Sequence, residues 1–157
     1  MIRTRAFADE DREDFLILYR ACLHHYGIPA ASPAEEARVL SLLLAGRHMS
    51  CLMAYDGPRP VGFTTWALTF PAGAGVALYM KEIFVSDAAR GRGVGRALLA
   101  GLLEIAQAEN CVRVDWQTDG GNRAAQAFYA TINAPVNDKR SFRVMADAFA
   151  SFRASLL

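Results

Sequence analysis

Arg90-Gly91-Arg92-Gly93-Val94-Gly95-Arg96-Ala97-Leu98-Leu99 follows the apolar run Ile83-Phe84-Val85 and opens the most regular helical pattern in the chain. A strand running into glycines interleaved with arginines, and then into a helix, reads as a phosphate site. Glycine lets the backbone take positive φ and approach a ligand closely. The unpaired N–H groups and positive dipole end of the following helix favour an anion. The helix is expected from Val94 to about Glu109, with Val94, Leu98, Leu102, Ile105 and Ala106 as its buried stripe.

Outward from this loop, the upstream chain reads as strands and helices in alternation. Ile2 to Phe7 alternates as a first strand. Asp9-Glu10-Asp11 suits a helix N-terminus, and Phe15, Leu18, Tyr19, Cys22 and Tyr26 give that helix one apolar face before Gly27 and Pro29 end it. Ser32, Pro33 and Glu35 form a capping box for a second helix with Val39, Leu40, Leu43 and Leu44 on its face, stopped by Gly46. These two helices make a lid-like element suited to substrate specificity. Cys51–Tyr55 and Val61–Leu68 read as a hairpin around Asp56-Gly57-Pro58-Arg59-Pro60, and a turn at Phe70-Pro71-Ala72-Gly73-Ala74-Gly75 leads to a strand from Val76 to Val85.

Downstream, Val112, Val114 and Trp116 alternate with polar residues as a strand expected parallel to 76–85, since a whole helix separates the two. Asn122 caps a short helix with Ala125, Phe128 and Ile132 inward. Ser141 to Met145 alternates as a further strand, and Phe149 and Phe152 indicate a last helical turn.

Composition limits the function. A chain of 157 residues, 53% apolar, is expected to form one domain over residues 1–157. A net charge of +1 argues against a nucleic-acid partner. The first residues carry no apolar core of signal-peptide length and no apolar run approaches 18 residues, so neither secretion nor a membrane partner is expected. Cys22, Cys51 and Cys111 lack metal or disulfide spacing and read as buried thiols in a reducing cytoplasm, with no metal. His24, His25 and His48 read as surface or helix-end residues.

The loop also has competing readings. A nucleotide-triphosphate loop needs a lysine and a hydroxyl after its last glycine, and neither follows Gly95. A dinucleotide fingerprint needs a third glycine where Arg96 stands. Arg90-x-x-Gly93-x-Gly95 does match the [RQ]-x-x-G-x-[GA] pattern of the GNAT superfamily of N-acetyltransferases. Trp116-Gln117-Thr118, Asn122 and Phe128-Tyr129 stand at that family's spacing. The resemblance covers roughly residues 76 to 135 and is nearest to the branch acting on polyamines, histone tails or amino acids.

This resemblance implies an α+β, GNAT-type fold: a mixed, mostly antiparallel sheet of six to seven strands flanked by about four helices. It implies acetyl-coenzyme A as co-substrate and a primary amine, of a small molecule or a peptide, as acceptor. Transfer of a longer acyl group and a non-catalytic acyl-coenzyme A-binding module are the alternatives. The diphosphate would lie on backbone from Arg90, Gly91, Arg92, Gly93, Val94, Gly95 and Arg96. Pantetheine would pair with the free strand edge at Ile83, Phe84 and Val85, exposed where two strands splay apart.

Tyr129 matches the tyrosine that protonates the departing sulfur; a phenol with a pKa of about 10 stays protonated at neutral pH. Glu82 matches an acidic position serving as base, directly or through water; the strand alternation gives it a face shared with Met80 and Phe84. The bland alternatives are a packing role for Tyr129 and a salt bridge for Glu82. Asn122 is a cap, a coenzyme contact, or both. Trp66 and Trp116 either line the acceptor pocket or belong to the core. The aromatic segment Phe142, Phe149 and Phe152 is a candidate surface for a homodimer.

Overall fold

The computed structural model of the chain describes every residue except Ala72, Ala74 and Leu157. Those two alanines of the turn expected at 70–75 therefore lie outside the described residues. The chain divides into two units, Met1–Gln117 and Thr118–Leu157.

In the first unit, alternation at the N-terminus gives β1 (Ile2–Ala6), and a 3₁₀ turn at Asp9–Asp11 leads into α1 (Arg12–His25). The capping box at Ser32 forms as expected. Ser32 Oγ accepts from the Glu35 N–H at 3.3 Å, Glu35 Oε2 accepts from the Ser32 N–H at 2.7 Å, and Pro33 opens α2 (Pro33–Ala45). Gly46 ends α2 in the left-handed region, at φ 60°. The hairpin follows as β2 (Ser50–Asp56) and β3 (Arg59–Thr69), then β4 (Ala77–Val85), α3 (Val94–Ala108) and β5 (Val114–Asp115).

The sheet order is β1-β2-β3-β4-β5, antiparallel until β5, which runs parallel to β4. The mixed, mostly antiparallel class is thus as expected, but the described residues hold five strands rather than six or seven. The strand expected over Val112–Trp116 shortens to two residues. Alternation supplies a face to bury, but a strand lasts only as long as its ladder.

Successive strand residues face opposite sides, and helices cover both. Phe15, Leu18 and Cys22 of α1 and Leu43 of α2 pack with Met53, Tyr55, Phe63 and Phe84. On the other side Val94 and Leu98 of α3 pack with Leu52, Ala54 and Val61. The α3 stripe is buried as expected at Val94, Leu98, Leu102 and Ala106, with Ile105 half-buried. Tyr26 and Leu44, expected on apolar faces, are exposed. Gly62 of β3 permits this packing. A Cβ there would stand 2.6 Å from the Phe84 carbonyl oxygen and 3.1 Å from Val94 of α3.

A charge enters the core at Asp11. Asp11 is buried and accepts from Arg5 through both guanidinium nitrogens, from the Tyr55 hydroxyl at 2.7 Å and from the Ala8 N–H at 2.9 Å. Burial pushes its carboxyl up, but the hydrogen bonds from Tyr55, Ala8 and Arg5 outweigh that and hold it below the usual range. A carboxyl held low adds stability that is present above its unfolded pKa of about 3.9 and lost as pH falls through the folded value. Asp11→Ala takes the 2.7 Å acceptor from the buried Tyr55 hydroxyl and leaves Arg5 only its 3.9 Å contact with the exposed Glu10. It should cost about 3 kcal/mol in urea denaturation at pH 7, with the deficit shrinking in acid below about pH 4.

The second unit holds α4 (Arg123–Thr131) and α5 (Phe149–Ala154). Asn122 caps α4 as expected, its side chain accepting from the Ala125 N–H at 3.0 Å. The alternating Ser141–Met145 segment is not a strand, against expectation, and Phe142 stands 91% exposed.

Candidate functional site

The register between β3 and β4 breaks where the chemistry is expected. Thr65 pairs with Glu82 but Trp66 pairs with Met80, leaving Lys81 as the extra residue of a β-bulge. Paired residues share a face and neighbours on β3 do not, so the bulge sends Met80 and Glu82 to opposite faces. This corrects the alternation, which put them together. Glu82 lies with Phe84 on the α1 side. Its carbonyl accepts from Thr64 Oγ1 at 2.8 Å, and its carboxylate stands 3.7 Å from Lys81 Nζ. Lys81 is exposed and Glu82 half-buried, so solvent still screens this ion pair and it is weak.

The opposite edge of β4 opens beside the bulge. β4 pairs with β5 only at Leu78–Val114 and Tyr79–Asp115. From Met80 to Val85 the edge carries no further ladder among the described residues. The open edge expected at Ile83, Phe84 and Val85 thus begins earlier, at Met80.

This edge leads through a 3₁₀ turn, Asp87–Ala89, to the glycine loop. Gly91 and Gly93 take φ values of 73° and 84°, and a Cβ on either would meet no protein atom within 4 Å. Gly93 is the N-cap of α3, and the Ala97 N–H closes the first turn onto its carbonyl at 3.0 Å. No acidic residue occupies the first turn, so the positive end of the helix is left for an anion. Gly95 lies inside α3 and not in the left-handed region.

The arginines are held by partners that sequence reasoning missed. Arg90 Nη2 lies 2.8 Å from Asp87 Oδ1 and 3.2 Å from His25 Nδ1, while Arg92 Nη2 donates to Asp56 Oδ2 at 2.6 Å. His25 also faces the Phe84 ring, centroids 6.2 Å apart. His25 and Asp56 stand 65 and 36 residues from these arginines, so no local pattern announces them. Arg96 is exposed on the first turn of α3.

Burial, and then the Glu82 charge, push the Cys22 thiol up to about 12. Burial first, with Glu35, Cys22, Glu36 and Glu82 adding, raises the Tyr19 phenol. Burial raises the Cys51 thiol as well. A thiol held so high is protonated at neutral pH and is no nucleophile. Cys111 is only half-buried, against expectation. Among the described residues no group of three or more metal-ligating side chains is gathered together. Two buried side-chain polar atoms, Thr65 Oγ1 and Trp66 Nε1, have no hydrogen-bond partner among the described residues.

In the second unit, Tyr129 is half-buried on α4, its ring 5.4 Å from that of Phe128. Trp116, just beyond β5, is half-buried in the first unit.

Comparison with known proteins agrees with this geometry. The family model described as Acetyltransferase (GNAT) family matches residues 7–133. A thialysine N-epsilon-acetyltransferase of Caenorhabditis elegans is 27% identical over 103 residues, which cover 66% of this chain and 64% of that protein. Among solved structures, an integron cassette protein from the mobile metagenome of V. cholerae superposes with a TM-score of 0.84 at 27% identity, over 97% of each chain. AAC(6')-Iy, solved with a coenzyme A-containing bisubstrate analogue, superposes with a TM-score of 0.78 over 92% of this chain and 98% of its own. At 16% identity that likeness is one of fold. With its open β4 edge, its glycine-capped α3 and a family match across most of its length, the chain belongs to the GNAT acetyltransferase family.

Proposed function

We propose that the chain is an N-acetyltransferase that moves an acetyl group from acetyl-coenzyme A directly to a primary amine of a small molecule or peptide, residues 1–157 acting as one catalytic domain. The observation that carries this reading is the β4 edge from Met80 to Val85, which carries no further ladder among the described residues and runs straight into the glycine cradle at the start of α3. An open edge is a row of backbone donors and acceptors that an extended amide chain can complete. The cradle beyond it has left-handed glycines, open space where side chains would be, and a helix N-terminus with no internal anion. Such a pair suits a ligand with an amide arm and a diphosphate.

Backbone from Arg90 to Arg96 would hold the diphosphate, and Ile83 to Val85 the amide arm. The thioester supplies an activated acetyl carbonyl. An alkylamine has a pKa of about 10.4, so its ammonium must lose a proton before its nitrogen can attack. Glu82, on the α1 side beside the open edge, is assigned that proton. Tyr129 is assigned the proton that the departing sulfur takes up, a role resting on its match to the family motif. The protonated thiols of Cys22 and Cys51 agree with transfer that forms no acyl-enzyme. The thialysine N-epsilon-acetyltransferase among the relatives is named for an amine substrate, which supports an amine acceptor here. The test is amine-dependent release of thiol from acetyl-coenzyme A.

A further inference from the structure

Thr65 carries a hydroxyl that the fold does not use. The residue is 3% exposed, and its Oγ1 has no hydrogen-bond partner among the described residues. Its neighbour Thr64, equally buried, spends its proton on the Glu82 carbonyl. An unpartnered buried hydroxyl destabilises the native state, whereas valine would fill the same shape without that cost. Retention of the hydroxyl at such a place asks for a function.

The register supplies one. Thr65 is the cross-strand partner of Glu82, so the two side chains stand side by side on the α1 face. Cross-strand partners have Cβ atoms about 4.5–5.5 Å apart, a span that one water can bridge. The other groups facing this place are Cys51, paired with Thr65 on β2, Tyr19 and Cys22 from α1, and Lys81 on β4. Of these only Lys81 is charged at neutral pH. Cys51 Sγ is directed to Met53 Sδ, 3.9 Å away.

We infer that Thr65 is a positioning residue for the proton path through Glu82: its hydroxyl and the Glu82 carboxylate together hold one water. The acceptor's ammonium N–H bond breaks as that water gains a proton, and the water's other proton forms an O–H bond on the carboxylate. The products are a neutral amine, water and a carboxylic acid, with no change of oxidation state. The inference rests on the reading of Glu82 as base.

The experiment compares Thr65→Val, Thr65→Ser, Glu82→Gln and the Thr65→Val/Glu82→Gln double variant of the full chain. Each is assayed with acetyl-coenzyme A and the primary amine among L-lysine, spermidine and neamine that turns over fastest, alongside thermal unfolding. Thr65→Val should lower kcat about tenfold, leave the KM for acetyl-coenzyme A unchanged, and melt at or above the wild-type temperature. Thr65→Ser should restore kcat, and Thr65→Val should add nothing once Glu82 is Gln. A Thr65→Val enzyme with full kcat, where Glu82→Gln has lost it, overturns the role of Thr65 and spares that of Glu82. Full kcat in Glu82→Gln, or no turnover with any of the amines, overturns both.

Discussion

Gly93→Glu is expected to abolish acetyl-coenzyme A binding while leaving the protein folded. Gly93 is the N-cap of α3 at φ 84°, in the backbone region where only glycine sits without strain. A glutamate there costs about 1–2 kcal/mol in strain. Its Cβ meets no protein atom within 4 Å, so the fold has room for it. The ligand has none on the proposed reading, because the side chain rises where the diphosphate is proposed to approach the backbone. The carboxylate also places a negative charge on the helix end proposed to hold one, and like charges so placed cost several kcal/mol. Affinity by calorimetry should fall about a hundredfold or more. Gly93→Asn is the control, since asparagine tolerates the left-handed region and carries no charge; it should bind more weakly than wild type but measurably.

Tyr129→Phe is expected to separate turnover from binding. Removing the phenol hydroxyl takes away the proposed proton donor to sulfur and leaves the ring in place beside Phe128. General-acid groups contribute about 10²- to 10⁴-fold, so kcat should fall within that range. Acetyl-coenzyme A affinity should stay within about threefold of wild type, as a lost donor to a developing thiolate acts on the transition state alone. Unchanged kcat would make Tyr129 a packing residue.

These two positions could be singled out from the sequence because their signals are local. A glycine between arginines at a strand-to-helix junction is read from its own neighbours, and Tyr129 is picked out by its match to the family motif; neither needs knowledge of what folds against it. The same holds for the capping box at Ser32 and for the α3 stripe, where each residue's neighbours lie within a turn or two. What escaped depends on partners distant in sequence. The bulge at Lys81 shows only in the register with β3, so the alternation of β4 misplaced Glu82 relative to Met80. The contacts of Arg90 with His25 and of Arg92 with Asp56 join residues from separate elements. β5 shortens because its ladder with β4 spans only two pairs, and Ser141–Met145 has a strand's pattern but joins no sheet among the described residues. The open edge that carries the functional reading is this same kind of fact: it is defined by where pairing stops.

The central claim is acetyl transfer from acetyl-coenzyme A to a primary amine, and its most direct measurement is release of free thiol from acetyl-coenzyme A against a broad panel of small-molecule and peptide amines. Thiol should appear only when an accepted amine is present, matched one for one by the acetylated amine in mass spectrometry, and it should fail to appear with Gly93→Glu. Tight binding of acetyl-coenzyme A with no amine-dependent thiol release across the whole panel would contradict the claim and make the chain a binding module.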